Sequence, residues 1–204
     1  MTIAAKRENL SDQIGLELLN KTAGVLRNAS PEEFATLVQN ILSSSRVFIC
    51  GAGRSGLVGR LFAMRLMHLG KTVYVVGDTT TPSIGASDLL ICISSSGKTR
   101  TVLGIANLAQ QANASVTNIG LNIGTNTPLS ELANFNVLLD RRVNSHMRQT
   151  VVDTIHPTER KTMTPLGTVF EIATLIYLES IIAELIRYQQ VSESEMKLRH
   201  TNLE

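Results

Sequence analysis

The stretch SDLLICISSSGKTR, residues 87–100, decides the fold. Every position from Leu89 to Ile93 is apolar, so both faces of this segment seek burial, as in parallel strands covered by helices on both sides. Three serines and a glycine follow, and from Thr99 onward the apolar spacing turns helical. A buried strand that ends in a polar loop and continues as a helix is the repeating unit of an α/β protein.

Similar short apolar runs lie at Val47 to Cys50, Thr72 to Val76, Asp88 to Ile93, Ser115 to Leu121 and Asn136 to Leu139. Between them, Ser55 to Leu69 and Thr99 to Gln111 carry helical periodicity. We therefore expect one domain over residues 1–204, a three-layer αβα sandwich around a five-stranded parallel sheet. An amphipathic helix over Asn9 to Arg27 opens the chain. A second helix starts at Ser30, a capping residue followed by Pro31 at the first helical position, with Glu33 placed to complete a capping box. Residues 141–164 are polar, break the rhythm and are expected to form a lid or insertion. The last long helix, Pro165 to Gln190, is apolar around much of its circumference, which calls for burial against another subunit as well as its own sheet.

Composition excludes several classes. Of 204 residues, 43% are hydrophobic and 18% charged, which is too apolar for a disordered chain. The net charge is +2 and no block of Lys or Arg stands out, so no nucleic-acid footprint is present. No run of 18 apolar residues and no secretory h-region occur, so we expect a cytoplasmic protein without a membrane span. Cys50 and Cys92 sit in apolar runs as buried thiols, two cysteines make no disulfide framework, and the four scattered histidines give no zinc spacing.

In open parallel sheets ligands bind outside the carboxyl ends of the strands. The loops to weigh are thus 51–56, 77–87, 94–99 and 122–128. Gly51-Ala-Gly53-Arg54-Ser55-Gly56 fits G-x-G-x-x-G between a strand and a helix, with Asp78 about twenty residues further on, where a dinucleotide's ribose would need an acid. The same glycines also serve a tight turn with close helix–strand packing and no ligand. The second loop argues against a dinucleotide, which needs no other phosphate cradle. There Ser94, Ser95, Ser96 and Thr99 put four hydroxyls within six residues. With Gly97 allowing the turn, hydroxyls and amide N–H groups can converge on an anion at a helix N-terminus. A single serine cap would explain one hydroxyl, not four. The nucleoside-triphosphatase pattern G-x-x-x-x-G-K-[ST] fails at Cys92, although Val137-Leu-Leu-Asp140 imitates a strand with a magnesium-binding acid.

ISSSGKT resembles the S-x-S-G-x-T phosphate loop of the sugar isomerase (SIS) domain family, and GAGRSG resembles that family's first loop. Within the family, FAMRLMHLG at 62–70, GDTTTP at 77–82, SDLLICIS, TPLGTVFE at 164–171 and RHTNLE at 199–204 are similar to the 6-phospho-3-hexuloisomerases, nearly end to end. The resemblance implies a flavodoxin-like SIS sheet and a sugar-phosphate isomerase that interconverts D-arabino-3-hexulose 6-phosphate and D-fructose 6-phosphate. It further implies no metal, no cofactor and a homo-oligomer, commonly a tetramer. Arg100 stands where the family usually has an acid, and the 141–164 segment is longer than the family pattern.

Moving a carbonyl from C3 to C2 requires taking the C2 proton and returning one at C3 through an enediolate. Glu171 follows the Gly167-Thr168 turn at the start of the last long helix, where it is either a base aimed at the strand ends or a first-turn acid stabilised by the helix dipole. The resemblance makes it the base. His200 is the residue type suited to shuttling protons between O2 and O3 near neutral pH, and the resemblance of RHTNLE gives it that part, with a tail able to reach a neighbouring subunit. Arg54 can stabilise enediolate or phosphate charge, or form a surface ion pair. The resemblance makes Gly53 and Ser55 first-loop contacts, and Ser94, Ser95, Ser96, Gly97 and Thr99 the phosphate site. Lys98 and the other three histidines are given no role. Two alternatives stand beside this reading: an isomerase of another ketose or aldose phosphate, and a non-catalytic phosphosugar-binding module.

Overall fold

The computed structural model describes residues 3–121, 126–140 and 167–203, with side chains in the first helix from residue 12. The expected lid or insertion at 141–164 lies outside the described residues. The elements run α1 (Ile3–Leu26), α2 (Pro31–Ser43), β1 (Val47–Gly51), α3 (Arg54–His68), β2 (Val73–Val75), β3 (Leu89–Ile93), α4 (Arg100–Gln111), β4 (Ser115–Gly120), α5 (Pro128–Leu132), β5 (Phe135–Leu138), α6 (Thr168–Gln189) and α7 (Glu193–Leu198). The five strands are all parallel, in the order β2-β1-β3-β4-β5. This is the expected αβα sandwich in its flavodoxin-like order, with the chain reversing direction between β1 and β3.

Alternation along the strands explains why the apolar runs are continuous. Val47, Ile49, Leu89, Ile91, Ile93 and Ile119 pack on one face against α2, α3 and α6. Phe48, Cys50, Leu90, Cys92 and Val116 pack on the other against α4 and α5. β3 is buried at all its positions, because it is the central strand and covered on both faces. Truncating such a residue to Ala costs roughly 2–5 kcal/mol. Close approach of α3 to the sheet is made possible by Gly59, where a Cβ would stand 2.8 Å from Ile49 Cγ2.

Three boundaries differ from expectation for physical reasons. Ser30 does cap α2, its hydroxyl accepting from Glu33 N at 3.2 Å, but no capping box forms with Glu33. The Glu33 carboxylate instead accepts from the backbone N–H of Leu138 at 2.9 Å, pinning α2 to β5. The edge strand β2 is shorter than its apolar run because it has only β1 to pair with. α5 was not expected at all. Its signal was local turn chemistry: Thr127 accepts from Ser130 N, Ser130 returns the bond, and Pro128 takes the first helical position.

At the amino-terminal edge of the sheet, Arg46 clamps Asp88. Its Nε and Nη2 donate to the two carboxylate oxygens at 2.9 and 2.5 Å, and Gly85 N adds a third bond at 2.8 Å. The guanidinium holds the buried Asp88 carboxyl below its ordinary range. A carboxylate depressed in the folded state stabilises the fold above its unfolded pKa, about 4, and loses that contribution as pH falls through the folded value. Asp88→Asn is therefore expected to be less stable than the wild type at pH 7, with the gap closing below about pH 4; denaturant titrations across pH check this, and a gap of constant size would contradict it.

Candidate functional site

Among the described residues, the six helices from α2 onward begin in two different ways. α2, α5 and α7 have their first amides capped by the side chains of Ser30, Thr127 and Ser192. α3, α4 and α6 start at Gly53, Thr99 and Gly167 with no side-chain cap. The three uncapped helices are those that carry the candidate residues.

The loop from Ser94 to Thr99 is held as a preformed cradle. Ser94 N donates to Ile119 O at 3.0 Å, tying the loop to β4. Ser94 Oγ lies 3.3 Å from Thr99 Oγ1 and accepts from Gly97 N at 3.2 Å, while Lys98 N donates to Ser96 Oγ at 3.3 Å. Thr99 thus turns its hydroxyl toward Ser94 rather than capping its own helix. The first-turn amides of α4 are left for another acceptor, and no acid occupies that turn. Arg100 adds positive charge at the end of the helix that already favours anions. Gly97 has φ +60°, and a Cβ there would collide with the Thr127 side chain.

On the neighbouring strand, the GAGRSG turn is consumed by packing. A Cβ on Gly51 would stand 2.9 Å from Gly56 N, and one on Gly56 2.7 Å from Gly51 O. Gly53 takes φ +57°, with open space around it. Asp78, the acid of a dinucleotide reading, is taken by Arg60 at 2.6 Å. The turn starts α3, whose first residue Arg54 crosses to α6: its Nε lies 2.5 Å from Glu171 Oε2, and its Nη2 donates weakly to Thr168 Oγ1 at 3.5 Å. The pair is held by charge more than by an aligned hydrogen bond, since no described donor meets the buried Oε2 in good geometry. Burial raises the Glu171 carboxyl above its ordinary pKa, and Arg54 opposes that shift without cancelling it. Gly167, with φ +79°, lets the chain enter α6 beside this carboxylate.

His200 is not part of this constellation within one chain. It stacks on His68 at the far end of α3, with ring centroids 5.1 Å apart, and Arg199 Nη1 donates to His68 O at 3.2 Å. Arg54 and His68 bound the fifteen-residue α3, about 21 Å of helix apart. His68 is buried, and its pKa is lowered by that burial and by His200 and Arg65. Ser55 lies half-buried in the first turn of α3, and Lys98 is exposed.

Sequence reasoning missed Asn118, Thr127, Ser130 and Asn136. With Ser94, Ser95 and Gly97 they line a cleft of about 240 Å³ beside the cradle. A polar residue within the buried run Val116 to Gly120 was the available signal for Asn118.

The carboxyl edge of this parallel α/β sheet carries an uncapped, hydroxyl-lined helix terminus, a cation and a largely buried carboxylate. The SIS domain model matches residues 40–158. A Methanocaldococcus jannaschii protein, 3-hexulose-6-phosphate isomerase, is 39% identical over 168 residues, 82% of each chain. Its Mycobacterium gastri namesake is 35% identical over 215 residues, covering both chains fully. The chain is also similar to a crystal structure of a Methanococcus jannaschii hypothetical protein, with TM-score 0.74 and 35% identity over 92% of this chain and 97% of that one; that structure infers a 3-hexulose-6-phosphate isomerase. The chain belongs to the SIS domain family.

Two outcomes test the site. Gly97→Ala is expected to weaken inorganic phosphate binding at least about tenfold, since positive φ and the Thr127 collision both strain the loop; calorimetric titration checks it. Arg54→Gln removes the charge that opposes burial, so the Glu171 carboxyl is expected to titrate at higher pH than in the wild type, as carbon-13 NMR of the side chain would register.

Proposed function

We propose that this protein is a sugar-phosphate isomerase that interconverts D-arabino-3-hexulose 6-phosphate and D-fructose 6-phosphate through an enediolate. The observation that carries the reading is the convergence of an uncapped, hydroxyl-lined α4 terminus with the Arg54–Glu171 pair at one sheet edge. Ser94, Ser96 and Thr99 with the α4 amides hold the 6-phosphate, and Gly53 and Ser55 border the sugar. Glu171 takes the C2 proton and returns one at C3; its burial raises its basicity toward that of a working base at neutral pH. Arg54 offsets the negative charge of the enediolate. The names of the relatives in Methanocaldococcus jannaschii and Mycobacterium gastri support the choice of sugar. The cytoplasm suits two buried thiols that are unbridged, Cys50 and Cys92.

His200 enters this reading from a second subunit. α3 exposes Leu57, Leu61 and Met64 at helical spacing along one face. A twofold axis perpendicular to α3 would pair this stripe with its copy and set the two α3 helices antiparallel. The His68–His200 end of one helix then meets the Arg54–Glu171 end of the other. In that position His200 can relay protons between O2 and O3. A tetramer follows if two such dimers associate.

Conversion of D-arabino-3-hexulose 6-phosphate to D-fructose 6-phosphate by the pure protein tests the activity, and no turnover above background contradicts it. Glu171→Gln is expected to lower kcat about 10²–10⁴-fold with little change in KM. Mixing unfolded Glu171→Gln and His200→Ala chains and refolding them together is expected to restore about a quarter of wild-type sites, because hybrids then contain sites with both groups intact. No recovery would place His200 outside the neighbour's site.

A further inference from the structure

The turn of the phosphate loop is held from outside the loop. Gly97 is buried with φ +60°, its N–H donating to Ser94 Oγ at 3.2 Å and its carbonyl accepting from Leu129 N at 3.1 Å. Leu129 N is a first-turn amide of α5, a donor that the helix itself leaves without a partner. The Gly97–Lys98 peptide is planar, so a bond to its carbonyl also sets the direction of the backbone that enters α4.

Thr127 stands against the same glycine. A Cβ built on Gly97 would lie 2.7 Å from Thr127 Cβ and 3.2 Å from its Cγ2, with Oγ1 nearer still, so this side chain fills the space that Gly97 faces. Its orientation is locked. Oγ1 accepts from Ser130 N at 3.1 Å, Ser130 Oγ accepts from Thr127 N at 2.8 Å, and branching at Cβ stiffens the side chain. α5 is itself anchored, by the buried Leu129, by Asn136 Nδ2 on the Ser130 carbonyl at 3.0 Å and by Gln110 of α4 on the Leu132 carbonyl. Glycine has the widest backbone freedom of any residue, and here another element restricts it with a wall and a hydrogen bond.

We propose that Thr127 is a positioning residue for phosphate binding: its side chain walls Gly97 into the left-handed turn that brings the Ser94 and Thr99 hydroxyls within 3.3 Å of each other. The assignment rests on the reading of residues 94–99 as the phosphate site. Without the wall, Gly97 regains the conformations that its missing Cβ allows, and the loop must then be ordered as the ligand binds. Thr127 thus has two separable parts. Its oxygen caps α5, and its bulk shapes the cradle.

Two substitutions separate these parts. Thr127→Gly removes the wall while glycine remains an acceptable N-cap, whereas Thr127→Val keeps a branched wall and loses the capping oxygen. Full-length wild type and both variants are compared by calorimetry with inorganic phosphate, by kinetics with the sugar phosphate and by thermal melts without ligand. Thr127→Gly is expected to weaken phosphate binding and raise KM about five- to tenfold, the effect of ordering roughly one more residue's backbone, with kcat within about twofold. Its melting temperature is expected to stay near that of the wild type. Thr127→Val is expected to show the reverse, a melting temperature lower by roughly 2–4 °C with phosphate affinity within about twofold. Wild-type phosphate affinity in Thr127→Gly, or a loss of affinity in Thr127→Val equal to that in Thr127→Gly, would overturn the proposal. Should Thr127→Gly fail to fold, Thr127→Ala, which also removes Oγ1 and Cγ2, decides by the same affinity measurement. A wild type that binds no inorganic phosphate would instead remove the phosphate-loop reading itself, and this proposal with it.

Discussion

Among the described residues, three helices begin at one edge of the sheet with no side-chain cap on their amides, and the candidate site depends on this constraint. A helix N-terminus without a partner costs stability unless an anion or a charged side chain compensates it. Here α6 carries Glu171 in its first turn, and α4 carries nothing negative. Thr99, which could have capped α4, points to Ser94 instead. The fold leaves unmet at α4 the bonding capacity that a phosphate supplies.

The parallel topology brings these termini together. β1 and β3 are neighbours, yet their following helices cover opposite faces of the sheet, so the loops after them diverge and open a crevice. One wall of the crevice is the hydroxyl cradle; the other is the GAGRSG turn with Arg54. The turn's glycines serve close packing between Gly51 and Gly56, and it is Arg54 that reaches Glu171. Glu171 is held between two influences, burial that favours its proton and a guanidinium that favours its charge.

Much of this was legible in the sequence. Continuous apolar runs revealed strands buried on both faces, and the four hydroxyls around Gly97 singled out a loop that the structure ties together through Ser94, Ser96 and Thr99. The failures came where tertiary contacts override local pattern. Glu33 has the spacing of a capping-box acid but bonds Leu138 N, 105 residues away. α5 has only five residues, too few for periodicity to register. Asn118 went unremarked within an apolar run, and only the pairing of β4 with β5 showed it facing Asn136. His200 lies beside His68 where Arg199 bonds the His68 carbonyl at the carboxyl end of α3, a placement no spacing could reveal.

The central claim is that Glu171 moves a proton between adjacent carbons of a sugar phosphate held by the Ser94–Thr99 loop. Proton NMR of D-fructose 6-phosphate incubated with the protein in deuterated water tests it directly. The account expects the C3 proton signal to vanish with wild-type protein and to persist with Glu171→Gln. Exchange at an equal rate in both, or none in either, would contradict it.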